Sequence, residues 1–156
     1  MLKQPALFHQ GFHLTRFSLN EEIKIQVQKQ NWTDLDQSFQ KLTAKEGRLH
    51  AFLKLFHDFD SIEFIISIRN AANPWEEDGI WHDDGSRVLS FSLSLTETEI
   101  EGGTLGIRPQ GQETFVEVPT PDFGGIILFL TGAFGYEHRI HQVIKGQRII
   151  IAGWCT

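Results

Sequence analysis

The 156-residue sequence has one cysteine, one tyrosine and no apolar run long enough to cross a membrane. A single thiol, Cys155, excludes an intramolecular disulfide and fits a reducing compartment. The longest apolar run spans 126–130, whereas a bilayer requires about 20 residues. Met1–Pro5 also lacks an apolar run of the signal-peptide type. We therefore expect a cytoplasmic protein that does not contact membranes.

Basic residues are not in excess, since the formal net charge is −6 with histidine counted as neutral. This charge disfavours non-specific binding to nucleic acid, which requires a basic surface, although a local basic groove stays possible. Hydrophobic residues make up 40% of the chain, and 13 phenylalanines predict an aromatic core. The length favours one domain over residues 1–156. Composition does not determine the oligomeric state.

Residues 1–60 are expected to form a helical cover over a sheet. Apolar side chains recur there at helical spacing, and Asp34 or Asp36 is the predicted N-cap. Gly47 is expected to divide this pattern into two helices, and residues 22–28 are assigned to another helix despite their alternation. The apolar stripe consists of Leu35, Phe39, Leu42, Leu49, Leu53 and Phe56.

Residues 61–156 are expected to form a β-rich core. Short β-branched or alternating segments are separated by glycine, proline and aspartate turns, without helices between them. This spacing predicts a mainly β sandwich or barrel of the jelly-roll kind, with the N-terminal helical layer on one face. The seven predicted strands are 63–68, 88–95, 103–107, 114–118, 125–130, 138–143 and 148–154.

The strongest chemical signal is a set of two histidines and one carboxylate. His82 and Asp84 are separated by one residue, so both side chains can point to one side of an extended segment, away from Asp83. His138 lies far along the sequence. Two imidazoles and one carboxylate on one face of a metal leave the opposite face open, as in non-haem Fe(II) oxygenases. The alternative is that these histidines are ordinary surface or core residues.

The residues after His138 make the pattern more specific. Val143, Gly146 and Arg148 follow at five, eight and ten residues. Together with the H-x-D element, this segment resembles the Fe(II)/2-oxoglutarate-dependent dioxygenase superfamily, in particular its prolyl-hydroxylase-like branch, over about residues 62–154. The turns at 101–105 and 121–129 resemble those of the same family. The Arg148 spacing selects His138 over His141, which would point to the opposite face of a strand.

The resemblance implies a double-stranded β-helix that binds Fe(II), 2-oxoglutarate and O₂, with ascorbate as a possible reductant. It implies that 2-oxoglutarate is converted to succinate and CO₂ while a substrate is hydroxylated. The carboxylate of Asp84 favours hydroxylation, or demethylation through it, over halogenation, since halogenating relatives have a small residue at that position. Arg148 would bind the distal carboxylate of 2-oxoglutarate through a bidentate ion pair. The alternative partner for Arg148 is a local acidic side chain.

One position departs from the family pattern, because Ile150 stands where many members have a serine that helps to bind the carboxylate. Ser90, Ser92 and Ser94 share one face of a predicted strand. Ser94 is the nearest counterpart of a cosubstrate-binding tyrosine in prolyl-hydroxylase-like relatives, and Ser90 is a second candidate. A solvated outer face explains the same alternation equally well.

Candidates for substrate contact lie near the metal-binding motif. Trp75 and Trp81 precede His82 and could line the substrate pocket, while Arg69 could pair with an acidic substrate group. Tyr136 precedes His138 and is a similar candidate. Packing in the core is the alternative role for the aromatic side chains.

Two other functions use the same residues. A metal-binding jelly roll could serve as a sensor or binding module, which formation of succinate would exclude. A zinc hydrolase also uses two histidines and a carboxylate, but gives no role to Arg148. The substrate, either a residue of a peptide or a small molecule, is not specified by the sequence.

Overall fold

The computed structural model describes residues 5–156, so most of the Met1–Pro5 segment, for which no signal-peptide run was expected, lies outside the described residues. In this part of the chain the helices are α1 (Pro5–Gln10), α2 (Glu21–Gln28), α3 (Trp32–Thr43) and α4 (Arg48–Leu53). None of these helices has the length and apolar character needed to cross a membrane.

The helix ends show which side chains cap them. Asn31 precedes α3, and its side-chain oxygen accepts a hydrogen bond from the Asp34 backbone N–H at 3.3 Å. The prediction of a cap at Asp34 or Asp36 is therefore wrong, because Asp34 already lies in the first turn of the helix. Gly47 precedes α4 and separates it from α3, as the sequence predicted.

The described strands are organised into three antiparallel sheets. The strands are β1 (Phe12–Arg16), β2 (Ile62–Asn70), β3 (Leu89–Ser94), β4 (Glu101–Gly102), β5 (Leu105–Pro109), β6 (Val116–Val118), β7 (Gly125–Phe129), β8 (Tyr136–Ile140), β9 (Val143–Lys145) and β10 (Gln147–Cys155). The large sheet has the order β1-β7-β3-β10-β2, a second sheet has the order β6-β5-β8, and β4 pairs with β9. This arrangement confirms the predicted mainly β jelly roll with helices packed on it.

Strand β1 was not predicted, because residues 1–60 were interpreted as a helical cover. It pairs with β7 from Phe12↔Phe129 to Arg16↔Gly125 and so forms one edge of the large sheet. Its short alternation of apolar and polar residues becomes a strand only where β7 supplies a partner. The N-terminal region therefore contributes both helices and an edge strand.

The large sheet separates two apolar clusters. One face packs against the helices, where Phe39 of α3 and Leu53 of α4 share a cluster with Phe91 of β3. A smaller cluster includes Leu105 of β5 and Phe129 of β7. Side chains alternate along each strand, so the residues of β2, β3 and β10 that point away from the helices face the space beside this second cluster. That space contains the candidate site.

Candidate metal and cosubstrate site

Three candidate metal ligands converge between the sheets. His82 lies in an extended segment, and its backbone forms two hydrogen bonds with that of His138, in β8, with N···O distances of 2.8 and 3.0 Å. This pairing brings the two imidazole ring centroids to 4.4 Å. The ligand atoms of His82, Asp84 and His138 all lie within 4.8 Å of one another. They can therefore contact one ion after small side-chain rotations.

Hydrogen bonds from neighbouring groups orient two of these side chains. His82 Nδ1 lies 3.0 Å from the Ile80 carbonyl oxygen, which leaves Nε2 for a metal. The Ser90 hydroxyl donates to Asp84 Oδ2 at 2.8 Å, and the Asp84 backbone N–H donates to Thr131 Oγ1 at 2.8 Å. Such contacts hold a carboxylate in place before a metal arrives.

His138 is held in its neutral form. Burial lowers the pKa of His138 to about 4, although the nearby carboxylate of Asp84 acts in the opposite direction. His138 Nε2 lies 3.6 Å from Asp84 Oδ2. A neutral imidazole has the free lone pair that metal coordination requires. The donor set therefore suits Fe(II), which accepts imidazole nitrogen and carboxylate oxygen.

Arg148 is almost completely buried, with 1% of its surface exposed. Its Nε donates to Thr120 Oγ1 at 2.9 Å and its Nη2 to Ser92 Oγ at 3.3 Å, whereas Nη1 is buried without a hydrogen-bond partner. Burial and the neighbouring charge of Arg69 lower the pKa of Arg148 to about 9, so it stays charged at neutral pH. Among the described residues, no carboxylate forms an ion pair with it. The guanidinium is therefore a ready site for an anion.

A cavity of about 310 Å³ connects Arg148 with the metal-binding residues. His82 and His138 line one part of it, and Arg148 and Ser92 line another. Other walls are apolar and include Leu105, Phe129, Ile150 and Trp154. A ligand in this cavity can contact a metal and the buried guanidinium together.

The structure distinguishes among the three serines of β3. All three are buried, which excludes a solvated outer face. Ser92 lines the cavity and contacts Arg148, whereas Ser90 contacts Asp84 and the Ser94 hydroxyl accepts a hydrogen bond from the Thr96 backbone N–H at 3.2 Å. The positions of these side chains favour Ser92 over the two predicted candidates, Ser90 and Ser94, for cosubstrate contact.

The four candidates for substrate contact separate into two groups. Arg69 and Trp75 line the cavity, where the guanidinium carbon of Arg69 lies 3.9 Å from the centre of the Trp75 ring. Trp81 does not line it. Its ring instead contacts Arg108 and Arg139, whose guanidinium carbons lie 4.0 and 4.5 Å from the ring centre. Tyr136 packs against both apolar clusters. Trp81 and Tyr136 thus have packing contacts outside the cavity lining, so the geometry favours Arg69 and Trp75 over them as candidates for substrate contact.

His141 and Cys155 have roles outside the site. His141 Nε2 lies 2.5 Å from Glu117 Oε1, which separates it from the metal-binding group, as predicted from its spacing to His138. Cys155 is buried, and burial raises the pKa of its thiol to about 12. The thiol is thus protonated at neutral pH.

Sequence reasoning missed Thr120, Thr131 and Asp78. Thr120 reaches Arg148 across 28 positions of sequence, and Thr131 reaches Asp84 across 47. No short pattern marks either contact, since both depend on how the sheets are stacked. Asp78 forms a buried ion pair with Arg69 at 3.1 Å.

Comparison with known proteins connects this geometry with a family. The model of the 2OG-Fe(II) oxygenase superfamily matches residues 72–156. The chain is 30% identical over 105 residues to a PKHD-type hydroxylase of Prochlorococcus marinus (strain AS9601). That alignment covers 67% of the chain and 43% of the relative, so the chain spans less than half of the relative's length.

Two solved structures share the fold over nearly the whole chain. A prolyl-4-hydroxylase from Pseudomonas putida superposes with a TM-score of 0.65 at 19% identity, covering 97% of this chain and 87% of that one. A prolyl hydroxylase from Trichoplax adhaerens was solved with a peptide fragment of the hypoxia inducible factor oxygen degradation domain. It superposes with a TM-score of 0.66 at 14% identity, and the match covers 97% of this chain and 86% of that one. These likenesses confirm the double-stranded β-helix. By its sequence match over residues 72–156, the chain belongs to the 2OG-Fe(II) oxygenase superfamily.

Proposed function

We propose that the protein is an Fe(II)- and 2-oxoglutarate-dependent dioxygenase that hydroxylates a residue of a peptide or a small molecule. The observation that supports this most strongly is one cavity containing two features. It is lined by His82 and His138, whose ligand atoms lie within 4.8 Å of each other and of the Asp84 carboxylate, and by the buried Arg148, whose Nη1 has no hydrogen-bond partner. A metal sensor or a hydrolase gives no reason to bury an unpaired guanidinium beside the metal-binding group.

In this proposal His82, Asp84 and His138 hold the iron. The Ile80 carbonyl fixes the tautomer of His82, so that Nε2 carries the lone pair, and the Ser90 hydroxyl fixes the rotation of the Asp84 carboxylate. His138 is neutral without metal, so binding does not require it to lose a proton. Three protein ligands leave coordination sites for a 2-oxo acid and O₂.

Arg148 binds the distal carboxylate of 2-oxoglutarate through the guanidinium edge that includes Nη1. Thr120 occupies Nε, and its hydroxyl also donates to the Gly103 carbonyl oxygen at 3.1 Å, so the guanidinium is held before the ligand arrives. Ser92 is our proposed second contact, in place of the serine that Ile150 replaces. Its hydroxyl lies on the cavity wall, 3.3 Å from Arg148 Nη2.

Bound iron supplies oxidative decarboxylation of 2-oxoglutarate to succinate and CO₂, coupled to hydroxylation of a substrate C–H bond. The protein orients the cosubstrate between Arg148 and the metal-binding group, while Ile150, Leu105 and Phe129 limit access of water to the cavity. Asp84 would hold the iron at the position where a halide would bind if this residue were small, which favours hydroxylation as the outcome.

The substrate enters from the part of the cavity away from Arg148. Ile65, Ala152 and Trp154 line this part, and Ile65 is 41% exposed. These residues form an apolar entrance that suits an aliphatic or proline-like group. We also propose that the enzyme acts in the cytoplasm, where a lone buried thiol such as Cys155 remains reduced.

The proposal is tested by measuring CO₂ released from 2-oxoglutarate labelled at C1, together with succinate. Purified protein with Fe(II), O₂ and ascorbate should release CO₂, slowly without substrate and faster when a peptide or metabolite library supplies one. Asp84→Ala and His138→Ala should abolish the release, while His141→Ala is the matched control and should retain it. Full turnover in Asp84→Ala or His138→Ala would contradict the ligand assignment. Metal-dependent binding without succinate, across all substrates tested, would instead favour a sensor.

A further inference from the structure

A second arginine lies directly beside Arg148. The two strands β2 and β10 pair so that Arg69 and Arg148 are opposite each other, and both side chains reach the cavity. Arg69 is 8% exposed and Arg148 is 1% exposed. Like charges on directly opposite positions of a sheet repel, and burial strengthens that repulsion. The fold must therefore compensate this pair.

Asp78 provides the compensation within the described residues. Its Oδ1 accepts from Arg69 Nε at 3.1 Å, with the two side chains 7% and 10% exposed. Its Oδ2 accepts from the Trp75 backbone N–H at 3.0 Å. Arg69 Nη1 donates to Ser67 Oγ at 3.0 Å, and the Trp75 ring covers the guanidinium face. The residues 70–81 thus hold Arg69 in place.

These contacts occupy Arg69, so its earlier assignment to an acidic substrate group loses support. Its charge still acts on the neighbouring site. Arg69 lowers the pKa of Arg148 and Asp78 raises it, so both charges are felt at that guanidinium. Arg69, Arg148 and Asp78 form a buried group of three charged side chains. Its two guanidiniums and one carboxylate give it a net charge of +1. Glu77 also lines the cavity and its charge acts on Arg69 after that of Asp78, but it is exposed, so water weakens its effect.

Resting on the proposed function, we propose that the ion pair of Arg69 and Asp78 determines the specificity of the cavity for a 2-oxo acid with one distal carboxylate. Arg69 has two effects: it adds positive charge beside Arg148, and it keeps Asp78 from pairing with the free Nη1 of Arg148. Asp78 has the opposite effect, because it lowers the positive charge to the single unit that one carboxylate neutralises. Neither residue belongs to the metal-binding group of His82, Asp84 and His138.

The two residues should therefore have opposite effects when neutralised. Asp78→Asn keeps one oxygen acceptor, for either Arg69 or Trp75, places an NH₂ group where the other oxygen was, and raises the net charge of the buried group to +2. Arg69→Gln keeps an amide donor toward Asp78 but lowers the net charge to zero and leaves Asp78 to pair with Arg148. The double variant restores +1. A structural role alone predicts that both single variants loosen residues 70–81 and weaken binding together.

The experiment is isothermal titration calorimetry of Mn(II)-loaded protein with 2-oxoglutarate and with 2-oxopentanoate, which lacks the distal carboxylate. The ratio of their dissociation constants isolates the contribution of that carboxylate. We expect the preference for 2-oxoglutarate to rise on the order of tenfold in Asp78→Asn and to fall on the order of tenfold in Arg69→Gln. This is the size expected when one unit charge near the ligand carboxylate is removed from a partly buried site. The double variant should return close to wild type.

Glu76→Gln, an exposed acidic residue in the same segment, is the matched control and should leave the ratio unchanged within about twofold. Thermal unfolding identifies any variant that fails to fold, in which case the remaining single variant and the double variant decide the result. Shifts of the two single variants in the same direction would overturn the specificity role and leave the proposed function standing. A wild-type protein with no preference for 2-oxoglutarate would contradict both proposals.

Discussion

Replacing Arg148 with methionine should separate the function of this residue from its contribution to stability. The side chain is fully buried, donates two hydrogen bonds to hydroxyls and leaves Nη1 without a partner. Methionine has a similar length and no polar atoms. If Arg148 is retained to bind an anion, its removal should cost little folding energy and most of the binding energy.

The magnitudes follow from these contacts. An unsatisfied buried donor on a charged group costs about 3 kcal/mol, and the two lost hydrogen bonds contribute about 1.5 kcal/mol each, or about 3 kcal/mol together, so the two terms approximately cancel. Removal of an unpaired buried charge adds a favourable term. We expect the unfolding free energy of Arg148→Met without ligand to lie within about 1 kcal/mol of wild type or above it. Two charge-assisted hydrogen bonds to a carboxylate would contribute about 3–6 kcal/mol to binding, or at least a hundredfold in affinity.

Urea unfolding of the protein without ligand, and of the Mn(II)-loaded protein with and without saturating 2-oxoglutarate, measures both quantities, because a ligand stabilises the state to which it binds. The ligand should raise the unfolding midpoint of wild type and leave that of Arg148→Met unchanged. Arg108→Met, which removes the half-buried pair with Glu137, is the control and should keep the ligand effect. A variant destabilised by more than about 3 kcal/mol that still responds to 2-oxoglutarate would refute the assignment of Arg148 as an anion site.

Three further predictions concern separate contacts. Ser90→Ala removes the hydrogen bond to Asp84 and should weaken Mn(II) binding about 10–100-fold in a metal titration, whereas unchanged affinity would show that Asp84 needs no such support. Cys155, with its raised pKa and buried position, should react with a thiol reagent at pH 8 only as urea unfolds the protein, and rapid labelling of the native state would contradict its burial. Gly153→Ala would place a methyl group 2.1 Å from the Phe91 ring and should lower the unfolding free energy by about 1–3 kcal/mol, which an unchanged urea midpoint would exclude.

The metal-binding group and the fold class could be predicted because they depend on short patterns. Alternation in the β-rich half marks strands such as 88–95, which the structure has as Leu89–Ser94. The H-x-D element and the spacing from His138 to Arg148 are also local. A backbone bridge between His82 and His138 then brings the two distant segments together.

The remaining features depend on register and stacking, which the sequence does not display. Three serines share one face of β3, but only the pairing with β10 places Ser92 beside Arg148, and Thr120 arrives from another sheet. Strand β1 is too short and polar to be identified without its partner β7. In the sequence Asp78 is one of several acidic residues in a loop. Its burial accompanies its ion pair with Arg69, which the sequence does not display.

The central claim is that one cavity binds Fe(II) and 2-oxoglutarate together, and anaerobic visible spectroscopy tests it most directly. Chelation of Fe(II) by a 2-oxo acid should give a weak charge-transfer band when both are added to the apoprotein. We predict this band in wild type and its loss in His138→Ala at the same concentrations. Stoichiometric binding of iron by wild type without any band, at saturating 2-oxoglutarate, would contradict the account.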